Sequence, residues 1–202
     1  MPSPIGHALA GAAVALAADI VDPRPGSTRL PKHLPLACAL LATLPDLDLV
    51  VVRYHRSATH SLVAVVLVFI IAAAVTGRVR LRSRALKASS GETRRRYTIA
   101  CVCAAAWASH LMLDMMGADT LRPIGIQLLW PFSDRFFITG WDIFDQTERR
   151  HPLESATLRQ NARAIAKEIA LLGPIAIGLW LVRVKTLTRF APKLAGRHHP
   201  AE

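Results

Sequence analysis

Seven side chains suited to holding a divalent metal lie in the first 114 residues: His7, Asp46, Asp48, His55, His60, His110 and Asp114. Four of them, Asp46, Asp48, His55 and His60, fall within fifteen residues in the run LPDLDLVVVRYHRSATHS, from Leu44 to Ser61. Carboxylates and imidazoles offer compact oxygen and nitrogen lone pairs that are free near neutral pH, as a catalytic divalent metal requires. Mixed His and Asp ligation suits zinc or manganese, admits iron, and does not suit a thiolate cluster or an all-oxygen calcium cage. An ion with an open position would acidify bound water and polarise an ester or phosphoryl group.

His110 and Asp114 are spaced i, i+4, on one helical face and within reach of one ion. Asp46 and Asp48 are spaced i, i+2, which a regular helix would splay, so they share a site only if Pro45 bends the chain or if they serve different ions. Spacing does not assign a general base; Asp46 or Asp48, left outside the ligand set, could take a proton. Arg53 and Arg56 stand where they could neutralise a phosphate. Ser57 or Thr59 could cap the helix that follows. Asp142 and Asp145 in GWDIFD could stand behind the ligands and support them, but read at least as well as solvated loop residues, and His33, His151, His198 and His199 read as loop or tail.

The elements that must position these groups are apolar. The 202-residue chain is 52% hydrophobic with positive mean hydropathy, too apolar for an ordinary soluble domain, and we expect an all-α, polytopic helical membrane protein of four to five transmembrane helices. Residues 5–21 form a first span rich in small residues, Gly6 and Gly11 among them, which lets helices approach closely. This span lacks a basic n-region, so no cleaved signal peptide is expected. Residues 34–52 form a second span bent at Pro45, 61–76 a third, 97–116 a fourth, and 169–184 a fifth, broken by Gly173 and Pro174. Between the fourth and fifth, segment 117–167 looks interfacial because of Trp130, Phe132, Phe136, Phe137, Trp141 and Phe144, with a surface helix over 154–167. Cys38, Cys101 and Cys103 fall inside apolar runs without disulfide or zinc spacing and read as packing residues.

The net charge of +11 raises nucleic acid as a partner, but the basic residues cluster between apolar segments. Segment 78–96 carries eight of them against a single acid, Glu92, and the positive-inside rule puts this loop in the cytoplasm. Residues 1–184 then form one membrane-embedded domain, and 185–202 a basic cytoplasmic tail. Alternation brings His7, the 46–60 cluster, His110 and Asp114 to one depth near the outer face, a convergence not used in setting the topology. No helix-turn-helix or aromatic-interleaved basic patch supports direct DNA binding.

His7, Pro45-Asp46-Leu47-Asp48, His55-Arg56-Ser57-Ala58-Thr59-His60-Ser61, His110-Leu111-Met112-Leu113-Asp114, Gly125 and Pro131-Phe132 occur in an order that resembles the YdjM family of bacterial inner-membrane proteins, over about residues 5–133. The family is described both as metal-dependent hydrolases and as LexA-binding. The resemblance implies a helical protein of the bacterial cytoplasmic membrane with metal ligands drawn from these His and Asp residues. It names no substrate. Where the family usually has Gly after the His-Arg pair this chain has Ser57, which implies a less tight turn there.

The expected function is a membrane-bound, divalent-metal-dependent hydrolase of a phosphoester or related ester, with a lipid-linked substrate in view, using metal-activated water. The alternative is a non-enzymatic metal-binding membrane protein that holds a soluble partner through its basic cytoplasmic loop. A carrier would need ligands continuing towards the cytoplasm, and the third and fifth spans offer none.

Overall fold

A computed structural model of the chain describes residues 1–21, 30–48, 56–82, 90–148 and 154–190. Among the described residues, five α-helices carry the fold: α1 (Pro4–Val21), α2 (Leu34–Thr43), α3 (Leu62–Arg82), α4 (Ser90–Met116) and α5 (Ser155–Phe190). No strand occurs among the described residues, where residues 117–148 form an irregular connection with isolated bridges at Gly117–Phe144 and Ile126–Phe137.

Ser3 and Pro4 make the start of α1 legible, since Ser is a preferred N-cap and proline, with no N–H to lose, suits the first helical position. The helix packs against α2, α4 and α5, while α3 packs against α4. Ala15, Leu34, Cys38, Ile99, Val102 and Ala106 fill the space between α1, α2 and α4. Gly11 permits this approach, because a Cβ there would lie 2.3 Å from the Cys38 carbonyl oxygen. Cys38 is thus a packing residue; Cys103 is half-buried beside it, Cys101 faces outward, and all three are free thiols.

Among the described residues, three helices are long and apolar enough to cross a membrane, over Pro4–Val21, Gly91–Met116 and Ser155–Lys185, with Leu62–Arg78 a shorter apolar helix. Their outward faces carry Leu67, Ile70, Ile71, Ile175, Ile177 and Trp180, all exposed, as expected of surfaces solvated by lipid rather than water.

The second, third and fifth segments differ from their expected bounds. Of the span expected over 34–52, the described residues form a ten-residue helix, α2, about half the length a crossing needs, and 49–52 lie outside the described residues. Pro45 cannot supply the N–H that the α-ladder requires, and residues 44–48 continue as a 3-10 turn. Of the basic segment expected as a loop over 78–96, residues 78–82 belong to α3 and 90–96 to α4, and 83–89 lie outside the described residues. Helix α5 is continuous for 36 residues through Gly173 and Pro174 and absorbs the separate surface helix expected over 154–167. Proline removes one backbone bond, but breaking the helix in an apolar setting would strand several more polar groups. At the ends of α1 and α5 remote from His7, Asp19 and Arg183 close an ion pair of 2.6 Å.

Candidate metal centre

The beginning of α1, the end of α2, the entry to α3 and the end of α4 meet at one end of the bundle. Ser61 caps α3 by accepting the Ala64 N–H at 3.3 Å, a role the sequence had offered to Ser57 or Thr59. Just before it, a 3-10 turn over Ala58–His60 delivers His60 inward. The Trp107 indole of α4 donates to the Thr59 carbonyl at 2.9 Å and pins this turn from behind.

His60, His110, Asp114 and Asp46 are all buried, and one donor atom from each lies within 4.8 Å of the others. The His60 and His110 Nε2 atoms are 3.1 Å apart, and Asp114 Oδ2 stands 3.3 Å and 3.1 Å from them respectively. Asp46 Oδ1 is 3.9 Å from each Nε2. A tetrahedral ion with arms of ~2.0 Å holds its ligand atoms ~3.3 Å apart, so the three nearer donors already have the right spacing.

The other imidazole nitrogens decide the chemistry. His110 Nδ1 lies 2.8 Å from the Ala42 carbonyl oxygen, which can only accept, so the proton is on Nδ1. His60 Nδ1 lies 3.2 Å from Asp48 Oδ2 and 3.0 Å from Thr59 Oγ1, and Thr59 Oγ1 itself donates to that same Asp48 oxygen. Both rings therefore turn Nε2 to the same point, and two Nε2 lone pairs at that distance repel unless a proton or a metal cation lies between them. Outward hydrogen bonds of this kind are the usual way a protein fixes metal-binding histidines. Burial opposes charge on His60, but the carboxylates of Asp114 and Asp48 outweigh it and push its imidazole up to about 9. The donor set thus fits a divalent cation.

The remaining predicted residues take other places. His7 is fully buried, its ring stacked on His110 with centroids 3.8 Å apart, and its Nε2 is 3.4 Å from Asp114 Oδ1. Neither His7 nitrogen has a hydrogen-bond partner among the described residues. Asp48 stands behind His60 instead of beside Asp46, and accepts the Arg56 backbone N–H at 3.3 Å. His55 and Arg53 lie outside the described residues. Arg56 is not available to a phosphate: its guanidinium is buried against Asp119, with bonds of 2.7 Å and 3.2 Å, and also donates to the carbonyls of Leu121 and Pro123. A positive φ of 67° falls on Arg56, one residue before Ser57, where the resemblance implied a less tight turn. Asp142 and Asp145 do not enter the cluster; Asp145 pairs with Lys167 at 2.7 Å.

Residues 117–148 close this end. Gln127 N–H donates to the Arg56 carbonyl and Leu62 N–H to the Leu128 carbonyl, each at 2.9 Å, so both flanks of the His60 turn are held. Ile126 is fully buried beside Met1, Trp107 and Leu111. Phe132 and Trp141 stay strongly exposed on the outside of the same connection.

Sequence reasoning missed Asp119 and Glu168. Glu168 is fully buried in α5, and its carboxylate accepts from Ser3 at the start of α1. An acid at the edge of an apolar run was the available signal.

Apolar helices around a buried Asp-His-His-Asp cluster define the class: a helical membrane protein with a site that could hold a metal ion. The family model described as YdjM inner membrane protein matches residues 1–187, and the chain belongs to that family. No curated protein and no solved structure matches it.

Proposed function

We propose that the protein is a multi-pass, divalent-metal-dependent hydrolase of the bacterial cytoplasmic membrane, acting near the outer face on a phosphoester or related ester, with a lipid-linked substrate favoured by the depth of the site. The opposed Nε2 atoms of His60 and His110, each with its Nδ1 committed elsewhere, carry this reading.

Zinc or manganese, the ions best suited to this donor set, would supply a Lewis acid that polarises the scissile group and acidifies water. His60, His110 and Asp114 would hold it, with His7 bordering them at the second Asp114 oxygen and Asp46 left to face the reacting group. Asp46 Oδ1, at 3.9 Å from each Nε2, stands farther off than the three nearer donors, and Asp46 is the group to take the proton from water. Asp48 serves by orienting His60, and Arg56 by bracing the turn against Asp119.

Elemental analysis of detergent-purified protein tests this. Stoichiometric zinc or manganese is expected, lost in His110→Ala and retained in Asp46→Ala, with helicity persisting in both. With the metal established, phosphoesters and lipid-linked esters are the first substrates to screen. Absence of retained metal after purification without chelator and with metal resupplied would overturn the proposal.

A further inference from the structure

Helix α1 begins with Ser3 at its cap, yet the group that satisfies its first turn comes from the far end of the sequence. Glu168 Oε1 accepts the Ser3 N–H at 2.7 Å, and Oε2 accepts the Gly6 N–H at 3.1 Å together with the Ser3 hydroxyl. The carboxylate thus acts as the acidic half of a capping box, supplied by α5 instead of by the third residue of α1. It also lies at the positive end of the helix dipole, which favours an anion there. The fit is close: a Cβ on Gly6 would come within 2.7 Å of Oε2. His7 is the next residue, and its backbone N–H makes the first turn's bond to the Ser3 carbonyl at 3.2 Å.

We propose that Glu168 is a positioning residue for His7: by gripping the first turn of α1 it fixes the register and rotation at which the His7 ring stacks on His110 and faces Asp114. His7 needs such a device because no hydrogen bond orients its ring among the described residues. The ring's direction is inherited from the backbone, and the backbone there is held by Glu168. The inference rests on the metal-site reading for its consequence, but not for its geometry.

Two measurements on the full-length protein in detergent test it. In the metal-free protein, modification of each histidine by diethylpyrocarbonate is followed by mass spectrometry. His7 should become about tenfold or more reactive in Glu168→Ala and less so in the isosteric Glu168→Gln, with His60 and His110 still protected. In the cobalt(II)-loaded protein, Glu168→Ala should shift the visible absorption bands and weaken binding by up to about tenfold, and adding the change to His7→Ala should cost nothing further. Additive losses, or a His7 as protected in both variants as in the parent, overturn the proposal. So does a uniform rise at all three histidines in Glu168→Gln, which would make the residue a general stabiliser. If the parent takes up no cobalt(II), the metal reading falls, and the labelling alone decides whether Glu168 positions His7.

Discussion

The two sides of the candidate site are held by different means. On the side built by α2, the 3-10 turn and α4, each histidine is fixed through its own ring: His110 by the Ala42 carbonyl, His60 by Asp48 and Thr59. On the α1 side His7 has no such bond and relies on stacking and on where its helix begins. A ring held through Nδ1 has its tautomer and direction set before any ion arrives, so little is reorganised on binding. The His7 ring has its place set instead by its stacking on His110 and by the grip of Glu168 on the start of α1.

Asp114 joins the two sides, one oxygen towards His7 and the other towards His60 and His110. Asp114→Asn should therefore have the largest effect, lowering metal affinity by more than about a hundredfold, because outer-shell groups alone are worth ten- to a hundredfold. Isothermal titration with zinc checks this. A loss under about tenfold would mean that the two sides do not share a centre.

Asp48→Asn strikes the anchored side alone and should cost about ten- to a hundredfold in affinity. Its pH dependence is more telling. With His60 pushed up to about 9, proton and metal compete for Nε2 below that pH, so affinity should climb by up to about tenfold per unit and level off above it. Removing one carboxylate that raises the imidazole must move the plateau to lower pH. A plateau that stays in place in competition titrations across pH 6 to 10 would detach Asp48 from His60.

The anchored side was also the more legible one. The His110 and Asp114 spacing, the Pro45 bend and the polar turn at His60 are local patterns, and each emerges where the sequence placed it. The supports could not be read the same way, because they depend on partners distant in the chain. Arg56 looked like a phosphate ligand, but Asp119, 63 positions on, takes its charge. Glu168 and Ser3 are 165 positions apart, and only the packing of α5 on α1 brings them together. The Gly173-Pro174 pair argued for a break in the last helix by local propensity alone, whereas in an apolar setting the backbone's need for internal hydrogen bonds outweighs it.

The smallest effect is expected at His7, and it bears most directly on the contrast. His7 lies outside the set of four donors that converge within 4.8 Å. His7→Ala removes a stacked ring and a neighbour of Asp114 Oδ1, leaving the His60 and His110 nitrogens where their own bonds hold them. Metal stoichiometry should survive, with affinity down by no more than about tenfold, while the cobalt(II) spectrum shifts because Asp114 is freer to turn. Turnover, once a substrate is in hand, should fall further than affinity, since a neighbour that steadies Asp114 matters most when the reacting group is in place. A stoichiometry lost as completely as in His110→Ala would show His7 to be a full ligand, making the site symmetric in function though not in its supports. The burden of holding the first turn of α1 would then pass to Glu168 as a condition of binding.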